Sequence, residues 1–558
     1  MILDNLDLNA IQDENSRELI RQLMNLVEKL STDLRDAQVE IQRLRDEVNR
    51  LKGEQGKPKI KGNTPKSPPS NHSSENERHQ SRPRHKKSKK AEIQIDREQE
   101  IEVDPSVLPK DAKFKGFEDV VVQDILLRTD NVLFHKQKYY SAATRKTYLA
   151  KLPHGYEGQF GPGIKALTLV FYYGIGTSEP KILEFFENVG IHISAGEISN
   201  LLIKKQEKFH AEKDAVVEAG LQSSPWQQTD DTLTRVDGQN EHCHIVCNPV
   251  YTSYHTRASK ERLSVLDVLR NGRKRLFRLN EETIGYLRCI PWSRAAWRKI
   301  QSWKSEQDWE EAAFLERLEE GLPKLSKQQR KTMLDASAVT AYHEQKDYPV
   351  VQALVCDDAP QFNWLGQEMM LCWVHDGRHY KKLMPVVALH RELLDDFLKQ
   401  FWEYYHQLLG YCRQPTVEER LRLETEFDDL FSSHTGYDAL DQRIAKTKAK
   451  KDSLLLVLKY PELPLHNNAS ELAVRQRVRK RDVSFGPRIQ DGVRAWDTFA
   501  TLAETAKKLG VSFYHYLNDR ISGTNQIQPL ADLVSLRAFE LNLGWSFSIP
   551  KPYPVLLR

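Results

Sequence analysis

An α/β protein with helical additions is predicted by three features of the sequence. One is a heptad-patterned helix near the N-terminus. Another is a run of alternating β-branched residues that starts at Trp226 and is broken by Asp237-Gly238. The last is a short apolar strand at 350–356 that ends abruptly on Asp357-Asp358. An apolar run of that length bounded by charge reads as a strand covered on both faces, which requires helices on either side of a sheet. The 558 residues exceed what one core supports, so several units are expected. Lys plus Arg number 82 against 78 Asp plus Glu, a net charge of +4, so the placement of the basic residues matters more than their sum. Six cysteines without framework spacing suit a reducing cytosol. No apolar stretch approaches the ~18 residues of a membrane span. No basic start leads into an apolar leader, and a soluble intracellular protein is expected.

The first unit, residues 1–52, carries apolar residues at alternating spacings of three and four, from Ile20 through Leu23, Val27, Leu30, Leu34, Ala37, Ile41, Leu44 and Val48 to Leu51. Its a positions are mostly β-branched and its d positions mostly leucine, the combination of a parallel two-stranded coiled coil, so a homodimer or higher oligomer is expected. The alternative is an amphipathic helix packed on its own chain. Residues 53–115 read as a disordered basic linker, rich in Pro, Ser, Asn, Lys and Arg and too poor in apolar residues to fold. Within it, RPRHKKSKK at 82–90 is a candidate for phosphate contact, and the alternation of Ile93, Ile95, Ile101 and Val103 suggests a small hairpin.

Residues 116–225 read as a globular helical region. Within SEPKILEFFENVGIHISAGEISNLLIKKQEKF, a break near Gly190 and a capping box at Ser194-Ala-Gly-Glu197 separate two helices, a helix-turn-helix spacing with Lys204, Lys205 and Lys208 assigned to the second helix. Residues 226–520 form the core, opening with a three-stranded meander that carries Asp230-Asp231. Charged, Trp-rich residues near 273–346 and residues near 386–460 both read as helical insertions, and 521–558 as a C-terminal tail. In HCHIVC at 242–247, strand alternation puts His242 and His244 on one face and Cys243 and Cys247 on the other, so they cannot grip one zinc ion.

Near the C-terminus, LPLHNNASELAVRQRVRKRDVSFGPR sets Glu471 before Arg475, Arg477, Arg479, Lys480 and Arg481. One reading is a capped helix, with Asn468 as cap, Glu471 at N3 and Arg475 paired four residues on. The other connects Glu471 with the two distant acidic doublets. Three carboxylates are the oxygen ligands that a pair of Mg²⁺ or Mn²⁺ ions needs to bracket an in-line phosphodiester displacement, and the adjacent cations would meet DNA phosphates.

TDDTLTRVDG, LVCDDAPQF, MLCWVHDGRHYKKL and LPLHNNASELAVRQRVRKRDVSFG, in this order, resemble the DDE transposases of the bacterial insertion sequence 66 family. The resemblance runs from the heptads through GEQGKP at 53–58 to YLNDR at 516–520. It implies a ribonuclease H-like catalytic core and a transposase that binds transposon ends, cleaves DNA and transfers strands with two divalent ions, Mg²⁺ or Mn²⁺. It also implies Asp230, Asp357 and Glu471 as the catalytic, metal-holding acids, Arg475, Arg477, Arg479, Lys480 and Arg481 on DNA together with Lys204 and Lys205, and His375 as an active-site neighbour. Accessory proteins of the same element and a cytoplasmic, nucleoid-associated location are expected with it. The sequence departs from the family pattern in having no cysteine before Cys243, where other members carry zinc-finger-like pairs. Two alternatives stay open: a nuclease or junction resolvase on the same core, and a non-catalytic DNA-binding descendant.

Overall fold

The computed structural model describes residues 11–52, 93–109 and 112–544. The basic tract at 82–90, GEQGKP and the end of the chain beyond 544 lie outside the described residues. Helix α1, Glu14–Leu51, runs unbroken through the heptads. The alternating segment at 93–103 does not pair. The hairpin is instead β1 (Lys138–Ser141) with β2 (Lys146–Leu149), where Arg145 adopts the left-handed conformation (φ 52°) that closes a tight turn. Residues before it form no other strand or α-helix among those described, so the helical region expected from 116 begins at 162.

Four helices follow: α2 (Pro162–Leu169), α3 (Glu179–Asn188), α4 (Ala195–Ile203) and α5 (Glu207–Gln222). Ser194 caps α4 as expected, its Oγ accepting from the Glu197 N–H at 3.2 Å. The meander is β3 (Trp226–Val236), β4 (Gln239–Asn248) and β5 (Tyr251–Arg257). Its first turn has positive φ at both Asp237 (46°) and Gly238 (76°), which matches the right-handed twist of a hairpin.

The segment near 273–346 is only partly helical. After α6 (Arg262–Leu269), an antiparallel ribbon of β6 (Leu276–Leu279) and β7 (Ser305–Glu310) is interleaved with α7 (Glu281–Leu287), α8 (Arg294–Ser302), α9 (Glu311–Gly321) and α10 (Lys327–His343). Then come β8 (Ala353–Cys356), β9 (Glu368–Leu371), α11 (Trp373–Lys381), α12 (Ala388–Arg413), α13 (Val417–Leu430), α14 (Asp438–Lys448) and α15 (Lys451–Leu454). The chain continues through α16 (Asn468–Ser484), α17 (Gln490–Leu509), α18 (Phe513–Ser522) and α19 (Leu530–Glu540).

The five-stranded sheet has the order β5-β4-β3-β8-β9, antiparallel across the meander and parallel from β3 through β9. Each residue of β8 is buried, and successive side chains enter different cores. Ala353 and Val355 join the cluster built with the 386–460 helices, whereas Leu354 and Cys356 join the cluster built with α5, α10 and α17. Both faces are therefore covered, as the apolar run predicts. Edge strand β5 is closed by an unusual device. Asp497, Thr501 and Thr505, four residues apart on α17, accept the N–H groups of Thr256 (2.6 Å), Tyr254 (3.0 Å) and Thr252 (3.3 Å), replacing a neighbouring strand. The expected tail is not one over its described part. Leu530 and Val534 of α19 are fully buried in the core shared with α5.

Candidate active site

The sheet register brings the first two acids together. Trp226 pairs with Ala353 and Gln228 with Val355 in the parallel β3–β8 ladder. Trp226, Ala353 and Val355 all face the insertion. Two residues further on, the same face carries Asp230 on β3 and Asp357 just past β8. Their neighbours turn elsewhere. Asp231 accepts from Gln361 Nε2 at 2.7 Å, and Asp358 forms an ion pair with Lys450.

Glu471 reaches this face because the turn before α16 is fastened to the sheet. Gln228 Nε2 donates to the His466 carbonyl at 2.8 Å, and Asn467 Nδ2 donates to the Thr229 carbonyl at 2.7 Å. The Asn467 N–H donates to Cys372 Sγ at 3.3 Å, between β9 and α11. The expected cap at Asn468 is not formed, because α16 starts there and its N-cap, Asn467, directs its side chain to the strand instead. On the first turn, Glu471 is gripped through both oxygens by Arg378 Nη1 and Nη2, each at 2.9 Å. Arg378, which is remote from Glu471 in sequence, thus supplies a guanidinium that orients it. Bidentate pairing of this kind fixes direction as well as charge.

Burial, joined by the charges of Asp357, Asp231 and Glu471, pushes the Asp230 carboxyl up to about 7 against the pull of the Asp231 N–H. Burial also raises Asp357, while electrostatic interaction with His375 and the Ala359 N–H hold it down. His375 therefore stands within electrostatic reach of Asp357, on the same helix as Arg378. Among the described residues no three acidic, histidine or cysteine side chains are close enough to hold a metal ion as they stand. Asp357 and Glu471 both act on Asp230 through their charge, and Glu471 is engaged through both oxygens by Arg378.

The basic stretch after Glu471 divides by helix face. Arg475 and Arg479 are exposed. Arg477 is 4 % exposed, donating to Thr256 Oγ1 at 2.9 Å, pairing with Asp497 at 3.5 Å and lying 4.2 Å over Trp496. Lys480 donates to the Thr177 carbonyl at 2.9 Å with the Tyr172 ring 3.3 Å beneath it, and burial pushes its amine down to about 7. Both are corrections to the DNA-contact expectation: α16 lies on β3 and β4, and its inward cations complete the core. Arg481 donates to the Leu233 carbonyl while staying partly exposed. Lys204 and Lys205 are exposed but do not lie on the second helix of the helix-turn-helix spacing. That helix ends at Ile203, Lys204 is extended, and Lys205 has φ 60° in the turn before α5, which carries Lys208.

Arg378, Gln228 and Lys450 were not singled out in the sequence, and Asn467 only as the start of the family motif that ends on Glu471, without its role at the strand. Arg378 left a signal there, standing three residues after His375 and hence on the same helix face.

A family model described as Transposase IS66 family matches residues 315–495, a span that includes Asp357 and Glu471. Over 327 residues, 58 % of this chain and all of the relative, the sequence is 35 % identical to an uncharacterized protein, y4jO, of Sinorhizobium fredii.

Proposed function

The chain belongs to the IS66 transposase family, and from that premise we propose that it binds the ends of a mobile DNA element and catalyses metal-dependent strand cleavage and strand transfer on a ribonuclease H-like core. The observation that carries this reading is the shared face of Asp230 and Asp357, with Glu471 brought beside them by the Asn467 and Gln228 hydrogen bonds. The mixed sheet with helices on both faces supports the fold assignment.

The donor set fits two hard divalent cations, Mg²⁺ or Mn²⁺. The residues are half-buried carboxylates; burial first and the neighbouring acids second raise the Asp230 carboxyl, and a cation would offset both. Asp230, Asp357 and Glu471 would hold the ions, which supply Lewis acidity at the attacking and leaving oxygens. Arg378 orients Glu471 through both of its oxygens. His375 steadies Asp357 as the anion. Exposed Arg475 and Arg479, partly exposed Arg481, and on the helix-turn-helix side Lys204 and Lys205, are the cations placed to meet DNA.

Incubation of the full chain with matched element ends, target DNA and Mg²⁺ tests the reading. Cut and joined products are expected. Cutting without joining would favour a nuclease or resolvase, and binding alone a non-catalytic protein. Asp230→Ala, Asp357→Ala and Glu471→Ala should each lower cleavage by about three orders of magnitude or more with DNA binding retained, and retained cleavage in any of them would break the assignment.

A further inference from the structure

Helix α1 has two working faces. Met24 is 1 % and Glu28 5 % exposed. Glu28 receives the backbone N–H of Val386 at 2.9 Å and of Val387 at 2.8 Å, with His390 Nδ1 at 3.3 Å. These groups form the N-terminus of α12, whose N-cap, Val387, offers no side-chain acceptor. One turn earlier, Asn25 Oδ1 accepts from the Asp438 N–H at 3.1 Å and Asn25 Nδ2 donates to the Gly436 carbonyl at 3.0 Å. That is the N-terminus of α14, whose N-cap, Tyr437, likewise lacks a side-chain cap. Two neighbouring residues of α1 thus cap two helices that cannot cap themselves, and Arg35 adds a bond to the Met384 carbonyl at 3.1 Å. A third to half a turn around the helix, the leucines of the heptad seam are exposed, Leu23 52 %, Leu30 58 %, Leu34 61 % and Leu44 48 %, while the first two a positions, Ile20 and Val27, are half-buried.

Both capped helices lead to the acids. From α14, Arg443 and Thr447 bind Asp376 of α11, and Lys450 just beyond pairs with Asp358 beside Asp357. From α12, Phe397 and Phe401 pack on Tyr380 of α11 with ring centroids 5.0 and 5.4 Å apart. Helix α11 carries His375 and Arg378.

We propose that the 386–460 insertion is a docking platform for α1, and that α1, paired along its open seam with the same helix of a second copy, positions α11 and the Asp357 turn in each chain. A second copy is the occupant because the open stripe keeps the a and d pattern of a parallel two-stranded coil to Leu51, well past the docked residues. The proposal rests on the catalytic reading above only for the consequence of positioning; docking itself is independent of it.

Hydrogen exchange and sedimentation of the full-length chain test it. Asn25→Ala with Glu28→Ala should speed exchange about tenfold or more at Val386, Val387 and Asp438 and also across Trp373–Lys381, with self-association unchanged because the seam is on the other face. Glu28→Gln, which keeps one acceptor, should recover part of the protection. Leu30→Lys with Leu44→Lys should abolish self-association and leave Val386 and Val387 protected. Unchanged exchange at Val386 and Val387 in the double alanine variant would refute docking, faster exchange confined to them would refute positioning of α11, and self-association surviving the two lysines would refute the second copy. With matched ends, the double alanine variant should cleave about tenfold more slowly at saturating DNA. If the wild-type chain cleaves nothing while exchange responds as expected, the catalytic reading fails and the docking stands.

Discussion

Helix α16 turns cations inward, whereas helix α1 turns leucines outward. By composition the first is the obvious DNA-binding surface and the second the obvious apolar packing element. Helix α16 lies across β3 and β4, so every third or fourth residue must face the sheet whatever its charge. Arg477 is accommodated there by Asp497, Thr256 and the Trp496 ring, and Lys480 by the Thr177 carbonyl and Tyr172. Helix α1 meets its own chain along a stripe around Met24 and Glu28, and among the described residues nothing covers its leucines. Burial follows from which neighbours a helix has, and residue type then determines what those neighbours must supply.

The contrast can be broken most severely at Arg477. Arg477→Ala leaves the Asp497 carboxylate without its guanidinium, and loss of one partner from a buried pair costs about 3–5 kcal/mol. A large fall in thermal stability is expected, with the salt dependence of DNA binding unaltered. An unchanged melting curve together with weaker phosphate binding would return Arg477 to the DNA surface. On α1, Leu30→Lys with Leu44→Lys should do the reverse, removing self-association while shifting the stability of the isolated chain by only about 0.5 kcal/mol per site. A strongly destabilised monomer would mean that the leucines are packed on their own chain.

A subtler effect is expected at Lys480. The unfolded chain keeps this proton up to its ordinary pKa of 10.5, while burial makes the folded chain release it above about 7. Between those values the unfolded state holds more protons, so this group makes stability rise with pH, by no more than ~1.4 kcal/mol per pH unit. The Tyr172 ring beneath the amine favours the charged form and reduces the slope. Urea melts of wild type and Lys480→Met from pH 7 to 10 measure it; parallel curves would mean that Lys480 stays solvated and charged. The smallest effect belongs to the outward cations. Neutralising Arg475 and Arg479 should flatten the dependence of log affinity on log salt by ~0.9 for each phosphate that is no longer neutralised. Equal slopes would leave those two as ordinary surface charge.

Much of the fold was legible because its signals are local. The Asp237-Gly238 turn fixes a hairpin through positive φ, the apolar run at 350–356, strand β8 from Ala353, requires cover on both faces, and Ser194 caps a helix start. The misreadings came where distant neighbours competed with a local pattern. Asn468 fits a cap by sequence, but Asn467 is drawn to the Thr229 carbonyl. The alternation at 93–103 lacks the turn chemistry that pairs Lys138–Ser141 with Lys146–Leu149. Residues 530–540 read as tail only until α5 supplies a surface for Leu530 and Val534.

The sequence by itself determined the elements and the chemical types available to the site. Strand alternation guarantees that Asp230 and Asp231 point to opposite faces, and the heptads guarantee a continuous stripe on α1. Which member of the pair faces α16, which guanidinium grips Glu471, and which face of α1 is covered were decided only by the tertiary structure. Each depends on the register between strands far apart in sequence or on the contact of one helix with another. The parallel alignment of Trp226 with Ala353 and the two bonds from Arg378 to Glu471 join residues separated by about a hundred positions. No local pattern encodes such pairings, because they form only when the intervening chain has packed.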